Sequence, residues 1–222
     1  RARALPNAPG HSASEGIFSA RKAVMSRRAL GNWLERVVFS TPWGQGAAPT
    51  AMANLPFDTS DIHTLQCALT DDNFYQALRA SCSIPFALDA VHDIPGAPTG
   101  AYWDGGITDY HMHLRYQTPP NQVVLYPHFQ QAVVPGWLDK TLKHRHAATS
   151  ALDHMVVIAP KPQWVATLPN AKLPDRHDFI HYKNDFAGRV QAWQYAVDES
   201  QRLVDELQSW LAKPDMSLVQ SL

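Results

Sequence analysis

Between residues 19 and 38 apolar side chains recur at mixed three- and four-residue steps, at Val24, Leu30, Leu34, Val37 and Val38, behind Ser19 as a capping residue; the spacing predicts a helix. A longer stripe of Phe186, Val190, Trp193, Val197, Val204, Leu207 and Leu211 opens at Asn184-Asp185 and closes at Lys213-Pro214. It predicts a helix over 184–212 that packs by that stripe. Thr70-Asp71-Asp72 sets a capping hydroxyl and two carboxylates ahead of Phe74, Ala77 and Leu78, marking a helix that ends before Pro85. Short apolar runs at 65–69, 86–91, 100–103, 123–126 and 155–159 read as strands. The last two are nearly continuous and are expected to be covered on both faces. Strands separated by helices define an α/β layered fold.

Proline and glycine punctuate the rest. Pro6, Pro9, Gly10 and Gly16 break any period over 1–16, and Pro42, Gly44, Gly46 and Pro49 open a loop running to about residue 60. The chain therefore divides into an irregular segment 1–16, one domain 17–213 and a tail 214–222. With 222 residues, 45% of them hydrophobic, it can bury a sizeable core. No apolar run approaches the roughly 18 residues that span a bilayer, and no signal peptide is recognisable. The expected location is cytoplasmic or peripheral to a membrane. The chain starts at Arg1 without a methionine, and its first clear element is an isolated helix, which suggests further sequence upstream.

A net charge of −1 conceals an asymmetry. Residues 1–40 carry Arg1, Arg3, Arg21, Lys22, Arg27, Arg28 and Arg36 against Glu15 and Glu35, or +5, leaving −6 for the remainder. The plain reading is a solvated helix face or an internal interface; the functional one is peripheral contact of a basic N-terminal helix with anionic headgroups. Nucleic acid is not an expected partner, since no base-reading or stacking module accompanies the cluster.

Two segments carry the chemistry when taken together: Ala77-Leu78-Arg79-Ala80-Ser81-Cys82-Ser83-Ile84-Pro85 and Tyr102-Trp103-Asp104-Gly105-Gly106-Ile107-Thr108-Asp109. A carboxylate at a strand end, followed by two residues without Cβ, lets the backbone turn sharply beside a reacting group. Alone, Asp-Gly is most often a simple turn. The pair of segments, in this order, resembles the Ala-Ser-x-Ala/Ile-Pro helix end and the Asp-Gly-Gly/Ala motif of patatin-like phospholipases. Tyr126-Pro127-His128-Phe129 and Pro135-Gly136-Trp137 resemble stretches that follow the motif in bacterial patatin-like proteins, so the likeness runs from about 57 to 160. Asp109-Tyr110-His111-Met112-His113 departs from the Asp-Asn-x-Pro common in the family, which alters the wall of the pocket.

The resemblance implies a three-layer α/β/α patatin-like fold, present as its C-terminal portion, and a serine-dependent lipid acyl hydrolase with a lipid or ester substrate and no cofactor or metal. In such a Ser-Asp dyad a serine in Gly-x-Ser-x-Gly attacks the ester carbonyl and the aspartate handles its proton. Burial must make that carboxylate a better proton acceptor, and backbone N–H groups must hold the oxyanion. Asp104 matches the dyad aspartate, Gly105 and Gly106 shape its turn, and Ser81, Ser83, Trp103 and His111 are candidates to line the pocket. No Gly-x-Ser-x-Gly occurs in the 222 residues. The nearest approach, Gly10-His11-Ser12-Ala13-Ser14, lacks the last glycine and follows no apolar strand, so the nucleophile is expected upstream of this chain. The alternative is a non-catalytic patatin-derived module that binds lipid or another protein.

Two further sites compete. His111 and His113 would share a face if they lay on a strand, and with His128, His144 or His146 could ligate a metal, but no carboxylate or thiol stands at motif spacing. Cys82 at the helix end could act as a thiolate, although a small buried packing residue is the stronger expectation.

Overall fold

The computed structural model describes residues 2–4, 27–41, 54–85 and 87–222. Ser12, residues 19–26 of the helix expected over 19–38 and most of the loop at 42–60 lie outside the described residues. Two compact units divide the chain. One comprises Arg1–Val124 and Ala132–His154, the other Leu125–Gln131 and Met155–Leu222. The division falls inside the single domain expected over 17–213.

The first unit is built on a five-stranded mixed sheet. Its strands are β1 (Ala2–Ala4), β2 (Leu34–Ser40), β3 (Thr64–Ala68), β4 (Val91–His92) and β5 (Ala101–Trp103), in the order β3-β2-β1-β5-β4. Only β2 and β3 run parallel; β1 lies antiparallel between β2 and β5. Helix α1 (Arg27–Leu30) precedes β2, α2 (Phe74–Cys82) follows β3, and α3 (Gly106–Asp109) follows β5.

Two expectations are corrected here. Ala2–Ala4, expected to be irregular, forms the middle strand of the sheet, and residues 34–38, expected to be helical, form most of β2. In β2 each of Leu34, Glu35, Arg36 and Val37 is buried, so no alternation of polarity marks the strand. Successive side chains leave a strand on opposite faces. Leu34 accordingly joins Ala2, Leu30, Trp103 and Ile107 in one cluster, while Val37 joins Cys67, Ala80, Val91, Ile94 and Tyr102 in another.

The two charged residues between them are buried as well. Glu35, 1% exposed, pairs with Arg3 and accepts from His63 Nδ1 at 2.9 Å. Arg36, 2% exposed, grips Asp109 through Nε and Nη2 at 2.7 and 2.8 Å, and reaches Asp61 Oδ1 and Oδ2 at 3.1 Å and Thr64 Oγ1 at 3.0 Å. Burial alone would lower its affinity for a proton, but the hydrogen bonds to Asp109 and Asp61 outweigh that and hold it above the ordinary guanidinium value. Arg3 and Arg36 are therefore internal ligands of the sheet and not part of a basic helix surface.

Helix α2 begins at Phe74, three residues later than Thr70-Asp71-Asp72 suggested. Asn73 fixes this start: its Oδ1 accepts from Thr70 N–H and its Nδ2 donates to the carbonyls of Ala68 and Pro95. Of the run 86–91 only Val91 belongs to a strand, and residue 86 lies outside the described residues.

The second unit contains most of β6 (Val124–Pro127), which pairs with β7 (Met155–Ile158) in a two-stranded sheet, then α4 (Pro162–Val165), α5 (Asp178–Tyr182) and the 27-residue α6 (Phe186–Ala212). β6 alternates half-buried and exposed residues and is not covered on both faces.

Asp185 caps α6 by accepting from Gly188 N–H at 2.9 Å. Buried Asp178 ties α5 to α6 by accepting from Trp193 Nε1 at 2.9 Å, and forms an ion pair with Lys172 Nζ at 2.7 Å. Burial pushes its carboxyl up, but the Lys172, Asp175 N–H and Trp193 bonds overcome that and bring it down to about 2. Arg189 lies 4.2 Å from the Phe179 ring centroid and also faces Phe186 and Trp193.

The stripe expected to pack α6 is mostly exposed. Phe186, Val190, Val197, Val204 and Leu211 face outward, and only Trp193 and Leu207 are half-buried. The covered face is rotated from it and carries Ala192, Ala196, Leu203 and Trp210, whose periodicity is diluted by small residues.

Candidate active site

Asp104 is the first residue after β5, and the end of α2 is what it meets. Ser83, past the last residue of that helix, accepts the Asp104 N–H on its carbonyl at 2.9 Å. The two motif segments, separated by residues 86–101, are thus joined by one backbone hydrogen bond. Asp104 then starts α3. Its carbonyl accepts from Ile107 N–H at 3.3 Å, and its Oδ1 accepts from Gly106 N–H at 2.7 Å, an Asx-type turn. Oδ2 receives no hydrogen bond from the described residues.

The glycines do not work as the sequence suggested. Gly105 has φ −64° and ψ −17°, a conformation open to any residue. Gly106 packs closely instead, since a Cβ there would stand 3.1 Å from Asp104 Oδ1. Neither supplies a left-handed turn.

A second segment closes against the same turn. Tyr110 N–H donates to Pro135 O at 2.9 Å and His111 N–H to Val134 O at 3.1 Å. Gly136 fits closely, since a Cβ on it would lie 3.1 Å from Ile107 O and from Asp139 Oδ2. Asp139 is held in turn by Arg145 Nη1 at 2.9 Å. Pro135-Gly136-Trp137 is therefore a structural partner of the aspartate turn. On the other side Asp109 is anchored by Arg36, so both ends of α3 are fixed by residues distant in sequence. Sequence reasoning missed Arg36 in this role because it stood in what looked like a helical basic cluster; its position beside buried Val37 was the available signal.

Ser83 is buried, with its hydroxyl donating to Arg79 O at 3.1 Å, so it faces its own helix and not a pocket. Ser81 is half-buried on the last turn of α2. Trp103 packs into the cluster with Ala2, Leu34 and Ile107, and its buried Nε1 has no hydrogen-bond partner among the described residues. His111 is buried, stacks on Tyr110 at 4.3 Å and accepts Val134 N–H on Nδ1 at 3.0 Å.

His111 and His113 do not lie on a strand, because Met112 between them has φ +52°. The His113 ring nitrogens go to Val133 O and Thr149 Oγ1, each at 2.9 Å. Among the described residues no group of three His, Cys, Asp or Glu side chains is arranged to hold a metal ion. Cys82 is exposed and not a packing residue; Cys67 is the buried one, its thiol pushed up by burial. A shallow recess of about 570 Å³ lies on α6, between Phe186 and Asp198, and belongs to the second unit, whereas Asp104 belongs to the first.

Residues 7–111 match the family model described as Patatin-like phospholipase, so that stretch of the chain is similar to the patatin-like family. The match takes in both motif segments and extends well upstream of residue 57, where the likeness read from sequence began. It stops before Tyr126 and Pro135. No curated protein and no solved structure matches the chain significantly.

Proposed function

We propose that this protein is a serine-dependent lipid acyl hydrolase, in which Asp104 is the dyad carboxylate and a serine N-terminal to it is the nucleophile. The observation that carries the reading is the Asp104–Ser83 backbone bond, which joins the two family motifs while the Gly106 N–H orients one carboxylate oxygen and leaves Oδ2 for a serine hydroxyl. In this reaction Oδ2 accepts the serine proton as the oxygen attacks the ester carbonyl. The same proton is then returned to the leaving alkoxide, and water repeats the cycle on the acyl-enzyme. Holding Oδ1 fixed means that little reorientation is needed at the moment of transfer.

The nucleophile has two candidate locations. Sequence upstream of Arg1 is favoured by the absence of Gly-x-Ser-x-Gly from the 222 residues. Ser12 is favoured by a family match that begins at residue 7 and so includes Gly10-His11-Ser12-Ala13-Ser14. Hydrolysis of a short-chain p-nitrophenyl ester separates them. Activity in the 222-residue chain that disappears in Ser12→Ala selects Ser12. Activity confined to an upstream-extended protein carrying an apolar strand and a serine elbow selects the first location.

In whichever protein is active, Asp104→Ala is expected to lower kcat at least about 100-fold. A near-unchanged rate rejects the dyad. Inactivity of both the 222-residue and the extended proteins, with retained binding to lipid, supports the second reading, a patatin-derived binding module, which the missing elbow also favours.

A further inference from the structure

Helix α6 carries on its exposed side a pattern that neither family chemistry nor the packing of its own unit uses. Ala187, Val190, Gln194, Val197, Gln201, Val204, Gln208 and Leu211 follow one another at strict steps of three and four over the length of the helix. All eight are exposed, Val197 at 63%. A 3.5-residue repeat is the signature of a coiled-coil seam, in which one set of positions is set by Ala187 and the three glutamines and the other by the three valines and Leu211. No charged residue interrupts the seam.

We infer that α6 pairs in parallel with α6 of a second copy of this chain. A self-pairing seam must tolerate its own image, and this one does. Valine meets valine in alternate layers. Glutamine meets glutamine in three of the others, where an amide is both donor and acceptor and so complements itself. Gln194 and Gln201 each give one Nε2–H to Asp198 and Asp205, both at 2.8 Å, which fixes their side chains and leaves a second N–H and the oxygen for the partner. Polar residues at core positions of this kind set register at some cost in stability.

The flanks specify orientation. One border of the seam is Gln191, Asp198 and Asp205, and the other is Phe186, Trp193, Ser200 and Leu207. In a parallel pair each border faces the opposite border of the partner, so aspartates meet apolar or neutral residues. In an antiparallel pair the aspartate rows face each other and repel. At 27 residues the helix offers a seam of about 40 Å.

The inference is independent of the hydrolase reading and is tested without an activity assay. Sedimentation equilibrium of the 222-residue protein over about 1 to 200 µM should show twice the monomer mass, with a dissociation constant in the micromolar range. Val197→Lys combined with Val204→Lys should weaken the dimer at least tenfold while circular dichroism shows unchanged helix content. Ser209→Lys, exposed on α6 but off the seam, should leave it intact. Val197→Cys should cross-link to its counterpart in the second copy if the pairing is parallel. A wild-type protein that stays monomeric throughout overturns the proposal, and pelleting of that monomer with phosphatidylcholine vesicles would give the stripe to a lipid surface instead. A dimer unaffected by the double lysine variant overturns it equally.

Discussion

Around Asp104 the chain is cross-linked through groups far apart in sequence: Asp104 to Ser83, Asp109 to Arg36, Tyr110 and His111 to Pro135 and Val134. Along α6 three side-chain bonds run within the helix, three or four residues apart, from Gln194 to Asp198, Gln201 to Asp205 and Arg202 to Glu199. A local bond adds a few tenths of a kcal/mol to a helix that already favours itself. A buried long-range one decides whether a turn has a defined position at all. Precision at a carboxylate is thus obtained from tertiary contacts, while the outward face of α6 is stiff without them and remains open to a partner.

The contrast can be broken most severely in the core beneath the aspartate. Trp103→Ala empties a site among Ala2, Leu34 and Ile107 and should cost about 3–5 kcal/mol in urea unfolding. Arg36→Met should cost a similar amount, about 3–5 kcal/mol, because it leaves the Asp109 carboxylate buried without its partner. Replacing Arg36 and Asp109 together by apolar residues should recover part of that loss; an additive double variant would mean that the pair is not coupled.

A smaller effect is expected from Gly136→Ala, whose new methyl would press on Ile107 O. It should destabilise by about 1–3 kcal/mol and shift the Gly106 amide resonance, which reports on the Asp104 carboxylate. Unchanged stability would mean that the 135–137 segment does not close on the aspartate turn.

In the second unit the effect of acid is smaller and confined to one contact. Asp178 has its carboxyl lowered from the ordinary value to about 2, so its contribution is fully present above about pH 4 and is lost as the pH falls toward 2. The Trp193 indole N–H signal should move through that window, and Asp178→Asn should remove the pH dependence. At the bottom of the scale, Arg202→Ala breaks only an exposed pair with Glu199 and should change stability by less than about 0.5 kcal/mol.

Much of the architecture was legible along the chain because it depends on local rules. The strands at 64–68, 101–103, 124–127 and 155–158, the helix behind Thr70-Asp71-Asp72 and the long helix capped by Asp185 are set by apolar runs, caps and periodicity. The two motif segments were legible as well, since residue order alone carries their likeness to the patatin-like family and both lie within the matched residues 7–111. Tertiary structure decided the rest. It made residues 34–38 a strand, because both faces of that strand are covered and its charges are paired, so polarity there carries no information about exposure. It turned Ser83 from a pocket candidate into the carbonyl that holds Asp104, and Arg36 from a surface charge into the anchor of Asp109. It also left the apolar stripe of α6 outward, since which face of an amphipathic helix is buried depends on what the rest of the chain brings against it.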